Sequence, residues 1–402
     1  MNNLIGYVDV VETTGDGISG WATDLFDSMR PVSLDIHVDG RYLTTIQCRE
    51  LRRDAEIAGY PGARAFRFDP GPYIETHRER IEIFFSGTSK YVVNGDIKAA
   101  DWIGKVGGHW DNIYRDYRTD IITRWWECDH LFERVQQYIR HDAPKTSRYG
   151  LHDLAKHIFS SAVPFDNAIS VGCGYGMKEM DAIECGLIKH FDLYELSSLA
   201  CDRGKKIAKE KGIYDVVDYH NCDVFDDDLM NEAYDVVYWN NALHHMKDVF
   251  EAVSWSKKIL KPGGVLLMDD YVGATFMQWS DELLEINTRI RESLPRHYLV
   301  NPYAPGTYCS TRILRPSVEQ IILSDPSECC DSSRIIPSLR HHFPDILIKP
   351  SGGGIYHCGL NDILDNIVKA GDYKLLDYLI DVDIQIAQSF ETHYAVAIAV
   401  KV

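Results

Sequence analysis

The chain has 402 residues, which is enough for two or three domains, and its 45% hydrophobic content can build ordinary cores. Its formal net charge of −18 argues against nucleic acid or an anionic membrane as the main partner.

The first residues, Met-Asn-Asn-Leu-Ile-Gly, lack the basic region and apolar stretch of a secretory signal. No run of about 20 apolar residues could span a bilayer, so we expect no transmembrane segment. The ten cysteines are scattered and form no Cys-x-x-Cys pair, which favours reduced thiols in a cytoplasmic protein.

Residues 1–96 predict an accessory β-sandwich. Apolar and polar residues alternate over 6–11, 32–38 and 80–85, and Asp39-Gly40 is a hairpin signal. Short strands at regular spacing, without a long helix, are typical of such a domain.

Residues 97–160 predict a helical connector. Four tryptophans crowd into this polar stretch, namely Trp102, Trp110, Trp125 and Trp126. They could anchor the connector, or they could form a lid over a bound ligand, because aromatic rings offer large contact areas.

Residues 161–402 predict an α/β domain. Apolar runs at 168–171, 191–194, 216–219, 234–239 and 264–268 alternate with segments long enough for helices, which indicates a parallel sheet covered on both faces. The apolar run 393–400 predicts a terminal strand inserted into that sheet, and residues 272–340 predict a substrate-binding insertion.

A glycine loop and an acid are the most informative pair in the chain. Gly172-Cys173-Gly174-Tyr175-Gly176 follows an apolar strand, and Glu195 stands at the end of the next one. A nucleoside cofactor needs this layout, with glycines where the backbone approaches the ligand and a carboxylate for the ribose hydroxyls.

Two further segments follow the next strands. Asp223 could accept a hydrogen bond from an adenine amine with Val224 beside the ring, or it could only cap a turn. Asn240 is followed closely by His244 and His245 at the carboxyl end of the fourth strand, where ligands of parallel sheets collect. Either histidine could be structural instead.

Taken together, these segments resemble the class I S-adenosylmethionine-dependent methyltransferases. The resemblance covers about 165–272 and the closing strand, and it implies a Rossmann-like seven-stranded sheet that binds S-adenosylmethionine. It places the methionine end of the cofactor at the glycine loop, the ribose at Glu195 and the adenine at Asp223. The residues expected to contact the cofactor are Gly172, Cys173, Gly174, Gly176, Glu195, Leu196, Asp223, Val224, Asn240 and Trp126.

The N-terminal segment resembles a small β-domain that accompanies bacterial glycosyltransferases and polysaccharide-assembly enzymes. The residues that carry this resemblance are Gly15-Asp16-Gly17-Ile18-Ser19-Gly20-Trp21-Ala22, Val38-Asp39-Gly40, Arg52-Arg53-Asp54 and Phe66. This resemblance implies a saccharide acceptor, such as a cell-surface glycan or a nucleotide sugar. We therefore expect saccharide O-methylation. A small-molecule O- or N-methyltransferase and a non-catalytic carbohydrate-binding or assembly protein are the alternatives.

Methyl transfer to a hydroxyl needs a base near the methyl group. The candidates are His245, which we favour, His244 and Asp270. We expect no metal, although Asp269-Asp270 would suit magnesium. Aromatic and basic residues after the fifth strand could bind sugar, namely Trp279, Arg289, Arg291, Tyr298, Tyr303, Tyr308 and Arg312.

Overall fold

The structure is a computed structural model that describes residues 3–12, 17–38, 40–68, 81–97, 122, 124–227, 229–302, 304, 306–325 and 327–402. The chain divides into two compact units, residues 1–106 with 317–326 and residues 107–316 with 327–402. Within the described ranges, no helix has both the length and the apolar character that crossing a membrane requires. Trp102, Trp110 and Tyr303 lie outside the described residues.

The first unit is built on short strands, as the alternating pattern predicts. The strand order is β4-β3-β7-β8-β1-β2-β6-β5, and neighbours are antiparallel except for a single parallel bridge from Tyr7 to Val93. Ile18, Leu34 and Ile83 are fully buried in one core. An N-terminal β-domain is therefore confirmed, while its assignment as a sandwich stays a prediction. The strands are β1 Leu4–Glu12, β2 Gly17–Asp24, β3 Ser33–Val38, β4 Arg41–Gln47, β5 Glu50–Leu51, β6 Arg64–Phe68, β7 Ile81–Phe85 and β8 Tyr91–Ile97.

The second unit contains the predicted seven-stranded sheet, in the order β11-β10-β9-β12-β13-β15-β14. The first five strands in this order, from β11 to β13, run parallel to one another. Strand β15 runs antiparallel to both β13 and β14. The apolar terminal segment is thus inserted into the sheet, as expected. The strands are β9 Phe165–Val171, β10 Ile188–Tyr194, β11 Val217–His220, β12 Tyr234–Asn240, β13 Leu260–Tyr271, β14 Leu347–Gly352 and β15 Tyr394–Val400.

In the second unit, helices lie between these strands and ahead of β9. Helix α4 begins at Met177, and Ser197 caps α5 by accepting a hydrogen bond from the Ala200 amide. The helices are α1 Arg53–Ile57 and α8 Val318–Ser324 in the first unit, and α2 Asp129–Arg140, α3 Gly150–Ile158, α4 Met177–Glu184, α5 Ser198–Lys211, α6 Val249–Ile259, α7 Asp281–Ser293, α9 Ile335–His342, α10 Leu364–Ala370 and α11 Tyr373–Ser389 in the second.

One boundary differs from the sequence analysis. The fifth apolar run predicts a strand at 264–268, but strand pairing already begins at Leu260, and β13 includes the Lys261-Pro262-Gly263-Gly264 segment. The reason is a pair of backbone hydrogen bonds, from Gly263 to the Lys401 carbonyl and from Lys401 to the Gly264 carbonyl, both 2.8 Å. These bonds hold the segment against the end of the chain.

The central strands carry the core on both sheet faces. Ala168 and Val236 are fully buried in one apolar cluster, and Ile169 and Val237 are fully buried in another on the opposite side. Because both faces are covered, polar residues collect at the carboxyl edge of the parallel strands, where a ligand can reach them.

Candidate active site

The glycine loop joins β9 to α4 with three left-handed residues. Gly172, Gly174 and Gly176 have φ values of 65°, 57° and 71°. A Cβ atom at Gly172 would lie 2.9 Å from the Ala242 side chain, and one at Gly176 would lie 2.5 Å from the Tyr219 hydroxyl. Both the backbone conformation and the space therefore require glycine. Burial raises the pKa of the Cys173 thiol well above its ordinary value, so this thiol stays neutral.

Glu195 follows β10 and lies against this loop. Its side chain is mostly buried, with 7% of the residue exposed. Oε2 accepts a hydrogen bond from the Gly174 amide and Oε1 accepts one from the Ser197 amide, each at 2.8 Å. A carboxylate oxygen can accept a second bond, so these contacts orient the acid and still allow it to bind hydroxyls.

Asp223 caps a short 3-10 turn, Val224–Asp226, by accepting a hydrogen bond from the Phe225 amide at 3.0 Å. Burial raises the pKa of this carboxyl. The Asn221 amide donates to the Leu196 carbonyl at 3.0 Å, which ties this turn to the end of β10. Val224 is 1% exposed and belongs to the core. The capping role that the sequence left open is present, and it occupies one carboxylate oxygen.

Asn240 ends a buried chain of hydrogen bonds. Its side-chain amide donates to the Tyr238 hydroxyl at 2.7 Å, so the tyrosine hydrogen is directed to His152 Nε2 at 2.9 Å. The other imidazole nitrogen, Nδ1, then donates to Asp181 at 2.9 Å.

Lys178 donates to the Asn240 side-chain oxygen, and burial lowers the pKa of this lysine. Lys178, His152 and Asp181 were not predicted. Their hydrogen-bond partners lie 29 to 86 positions away in the sequence, and no spacing rule links residues that far apart.

His244 and Asp270 form a buried pair between the ends of β12 and β13. His244 Nδ1 lies 2.5 Å from Asp270 Oδ1, and Asp270 Oδ2 accepts bonds from the Ala242 and Leu243 amides at 2.9 and 2.8 Å. Burial alone would raise the pKa of Asp270, but His244 and these amides hold that pKa below its ordinary value. The Asp270 carboxylate is therefore ionised and orients His244.

Asp270 is 0% exposed, which bears on its expected role as a base. All of its described bonds go to the protein, so it can affect an acceptor only through His244.

His245 lies beside His244, with the ring centroids 4.0 Å apart. Its Nδ1 is 2.9 Å from the Ser327 hydroxyl, and Glu328 Oε1 is 3.9 Å from His244 Nε2. Among the described residues, three groups could place their donor atoms around one metal ion, and none of these groups includes Asp269 or Asp270. Glu328 is 83 positions from His245 and 84 from His244, so the sequence did not link it to them.

Several expected contact residues have structural partners. Trp126 is half-buried, with its ring centroid 5.8 Å from that of Trp125. Arg291 is 3% exposed and pairs with Asp362, and the Tyr298 hydroxyl donates to Asp372. Arg291 and Tyr298 thus have structural partners, and the suggestion that they bind sugar stays a prediction. Trp279 is mostly buried as well, and its indole N–H donates to the Tyr271 hydroxyl at 3.2 Å.

Comparisons with known proteins agree with the arrangement of the sheet. Residues 169–266 match a family model described as a methyltransferase domain. No curated protein sequence matches the chain.

Two solved structures are among those similar to this chain. A geranyl diphosphate C-methyltransferase from Streptomyces coelicolor A3(2), crystallised with Mg²⁺, geranyl diphosphate and S-adenosyl-L-homocysteine, is 16% identical over 76% of this chain and 99% of that chain, with a TM-score of 0.39. The Haemonchus contortus phosphoethanolamine N-methyltransferase 2, in complex with S-adenosyl-L-methionine, is 14% identical over 97% of this chain and 70% of that chain, with a TM-score of 0.41. Similarity at this level says nothing about the acceptor.

The matched segment begins in β9, runs through the glycine loop, Glu195, Asp223 and the two histidines, and ends in β13. Residues 169–266 are therefore a methyltransferase domain, and the protein is an S-adenosylmethionine-dependent methyltransferase.

Proposed function

We propose that the protein O-methylates a hydroxyl group of a small-molecule acceptor, with a saccharide as the first acceptor class to test. The single observation that carries the proposal is the packing of residues 242–245, which contain both histidines, against the glycine loop. A Cβ atom at Gly172 would collide with the side chain of Ala242. His244, two residues after Ala242, is hydrogen-bonded to Asp270. The cofactor loop and a pair of imidazoles thus share one edge of the sheet.

The cofactor assignments follow from that edge. The left-handed loop of Gly172, Gly174 and Gly176 lets a ligand approach the backbone closely, and Glu195 is oriented beside it for the ribose hydroxyls. Asp223 keeps one oxygen beyond its capping bond for the adenine amine. Cys173, Leu196, Val224, Asn240 and Trp126 remain proposed contacts.

S-adenosylmethionine supplies a methyl group that is activated by its bond to a positively charged sulfur. The acceptor oxygen bonds to that methyl carbon, the carbon–sulfur bond breaks with its electron pair remaining on sulfur, and the hydroxyl proton must leave. Much of the acceleration can come from holding the reacting atoms in line.

The two histidines are the groups best placed to help the proton leave. An imidazole can accept the proton itself, or it can hold a cation that makes the hydroxyl more acidic. Asp270 fixes the orientation of His244 in either case. The choice of His245 as the base stays a prediction.

The saccharide rests on the sequence resemblance of the N-terminal β-domain. A small-molecule O- or N-methyltransferase remains the second candidate for the acceptor. A non-catalytic carbohydrate-binding protein is less well supported, because such a protein has no need for the ionised Asp270–His244 pair.

The test is a panel of acceptors with the purified full chain and S-adenosylmethionine. Sugars, nucleotide sugars and non-sugar alcohols and amines are compared by the release of S-adenosylhomocysteine, and the methylated atom is located by NMR. Turnover with hydroxyl acceptors supports the proposal. Turnover only with amines, or failure to bind S-adenosylmethionine at millimolar concentration, would overturn it.

A further inference from the structure

We propose that His244, His245 and Glu328 form a binding site for a divalent transition-metal ion. Each residue can offer one ligand atom, and these three atoms all lie within 4.8 Å of one another. His244 Nε2 and Glu328 Oε1 are 3.9 Å apart, inside the roughly 4.2 Å that two metal–ligand bonds of about 2.1 Å allow. The inference rests on the proposed function, since it names how the same site would activate its acceptor.

Each of the two histidines has a hydrogen-bond partner at its Nδ1 atom, which orients the ring and distinguishes a metal site from a chance cluster. His244 Nδ1 donates to Asp270, so the neutral ring carries its lone pair on Nε2, the atom on the Glu328 side. His245 Nδ1 lies 2.9 Å from Ser327 Oγ, and the second ring has the same arrangement when this hydroxyl accepts the hydrogen bond. Metal-bound histidines almost always have such a partner on the other nitrogen.

The backbone beside the third ligand is held in an unusual conformation. Cys329 is fully buried and has a φ of 53°, a left-handed value that is rare for a residue other than glycine. Its thiol donates to Glu328 Oε1 at 2.8 Å, and its carbonyl accepts from the Phe276 amide at 2.8 Å. Strain of this kind persists where the surroundings fix it, and here it directs a carboxylate towards two imidazoles.

The ligand types decide the class of metal. Two imidazoles and one carboxylate suit zinc, manganese, iron or cobalt, whereas magnesium prefers oxygen ligands throughout. Three protein ligands leave at least one position for another oxygen, as in catalytic metal sites. An acceptor hydroxyl bound there would lose its proton to water more readily, and its oxygen would then form the bond to the methyl carbon. This differs from the expectation of no metal and from the alternative at Asp269-Asp270.

The test uses cobalt, because Co²⁺ has visible absorption bands that report imidazole coordination. The full chain is freed of metal by dialysis against EDTA, titrated with Co²⁺, and then titrated with Zn²⁺ in competition. We expect one equivalent of bound Co²⁺ that Zn²⁺ displaces and Mg²⁺ does not. Glu328→Gln should weaken Co²⁺ binding at least about 10-fold, and so should Asp270→Asn, through loss of the orientation of His244.

The matched control is Asp218→Asn. Asp218 belongs to a half-exposed group with His190 and Asp192 whose donor atoms are also close together, and that group has no buried residue. Unchanged Co²⁺ binding in Asp218→Asn, together with weakened binding in Glu328→Gln, supports the assignment. Absence of a stoichiometric Co²⁺ band in folded protein, or loss of the band only in Asp218→Asn, would overturn it.

The two proposals fail in different ways. The cobalt titration needs neither S-adenosylmethionine nor an acceptor, so a metal site that is present without any methyl transfer would refute the proposed function and keep the site. Full turnover in metal-free protein would refute the role of the ion and keep the methyltransferase assignment.

Discussion

Glu195 offers the sharpest test of the cofactor assignment. If its carboxylate binds the ribose hydroxyls, replacing it should remove charge-assisted hydrogen bonds that contribute about 1–3 kcal/mol. Since 1.4 kcal/mol is a factor of ten, the affinity for S-adenosylmethionine should fall about 5- to 150-fold.

The choice of variant follows from the two amides that Glu195 already accepts. Alanine would leave the Gly174 and Ser197 amides without this acceptor, and each loss could cost about 1–3 kcal/mol of stability unrelated to ligand binding. Glu195→Gln keeps the size of the side chain and one oxygen, so it removes the charge with less damage to the loop. Asp192→Asn is the matched control on the same strand, since its described partners are Tyr234 and His220.

The assay is isothermal titration calorimetry with S-adenosylhomocysteine and with its 2′-deoxy analogue. In the wild type, the analogue should bind more weakly because it lacks one hydroxyl. In Glu195→Gln, the two ligands should bind almost equally, since the interaction is already lost. If the variant melts at the wild-type temperature and still distinguishes the two ligands as strongly as the wild type does, the ribose is not bound by Glu195.

Three further perturbations test other parts of the site. His245→Ala should lower turnover by about 100-fold or more while the calorimetric affinity for S-adenosylmethionine changes less than about twofold, and full activity would reject a role for this ring. Gly172→Ala should lower the free energy of unfolding by about 1–3 kcal/mol more than Gly186→Ala, as measured in urea, because both residues have a positive φ but only the first would meet Ala242. Burial raises the pKa of Asp269 to about 6 from the ordinary 3.8, so the native state binds more protons and the free energy of unfolding should fall as the pH rises from about 4 to 6. Asp269→Asn should remove part of that slope, and an unchanged slope in urea titrations would show that another group causes it.

Much of the fold could be predicted from local sequence. Buried parallel strands are short apolar runs, and the glycine loop marks the turn from β9 into α4, so periodicity and turn residues sufficed to place the strands β9 to β13 and β15. The candidate cofactor residues directly follow strands. Because these strands are parallel, their carboxyl ends bring the residues to one edge of the sheet. For that reason Glu195 lies against Gly174, as the spacing suggested.

The partners of those residues could not be predicted in the same way. His152 reaches Tyr238 from a helix that precedes the whole sheet, and Glu328 approaches His244 from a loop far downstream. Such contacts depend on where the flanking segments pack, which no local pattern encodes. The ion pair between Arg291 and Asp362 could not be predicted for the same reason, because the two residues are far apart in the sequence.

The distribution of backbone strain supports a functional edge at this place. Six described residues other than glycine have a positive φ, and four of them are Asn241, Phe276, Met277 and Cys329. Asn241 lies three positions before His244, and Cys329 directly follows Glu328. The Phe276 amide is bonded to the Cys329 carbonyl, so the loop after β13 is fixed to the loop that carries Glu328. Each such residue costs about 1 kcal/mol or more, and a protein retains that cost where geometry matters more than stability. If the proposed metal site is present, the strained loops would position His244, His245 and Glu328 as the glycine loop would position the cofactor.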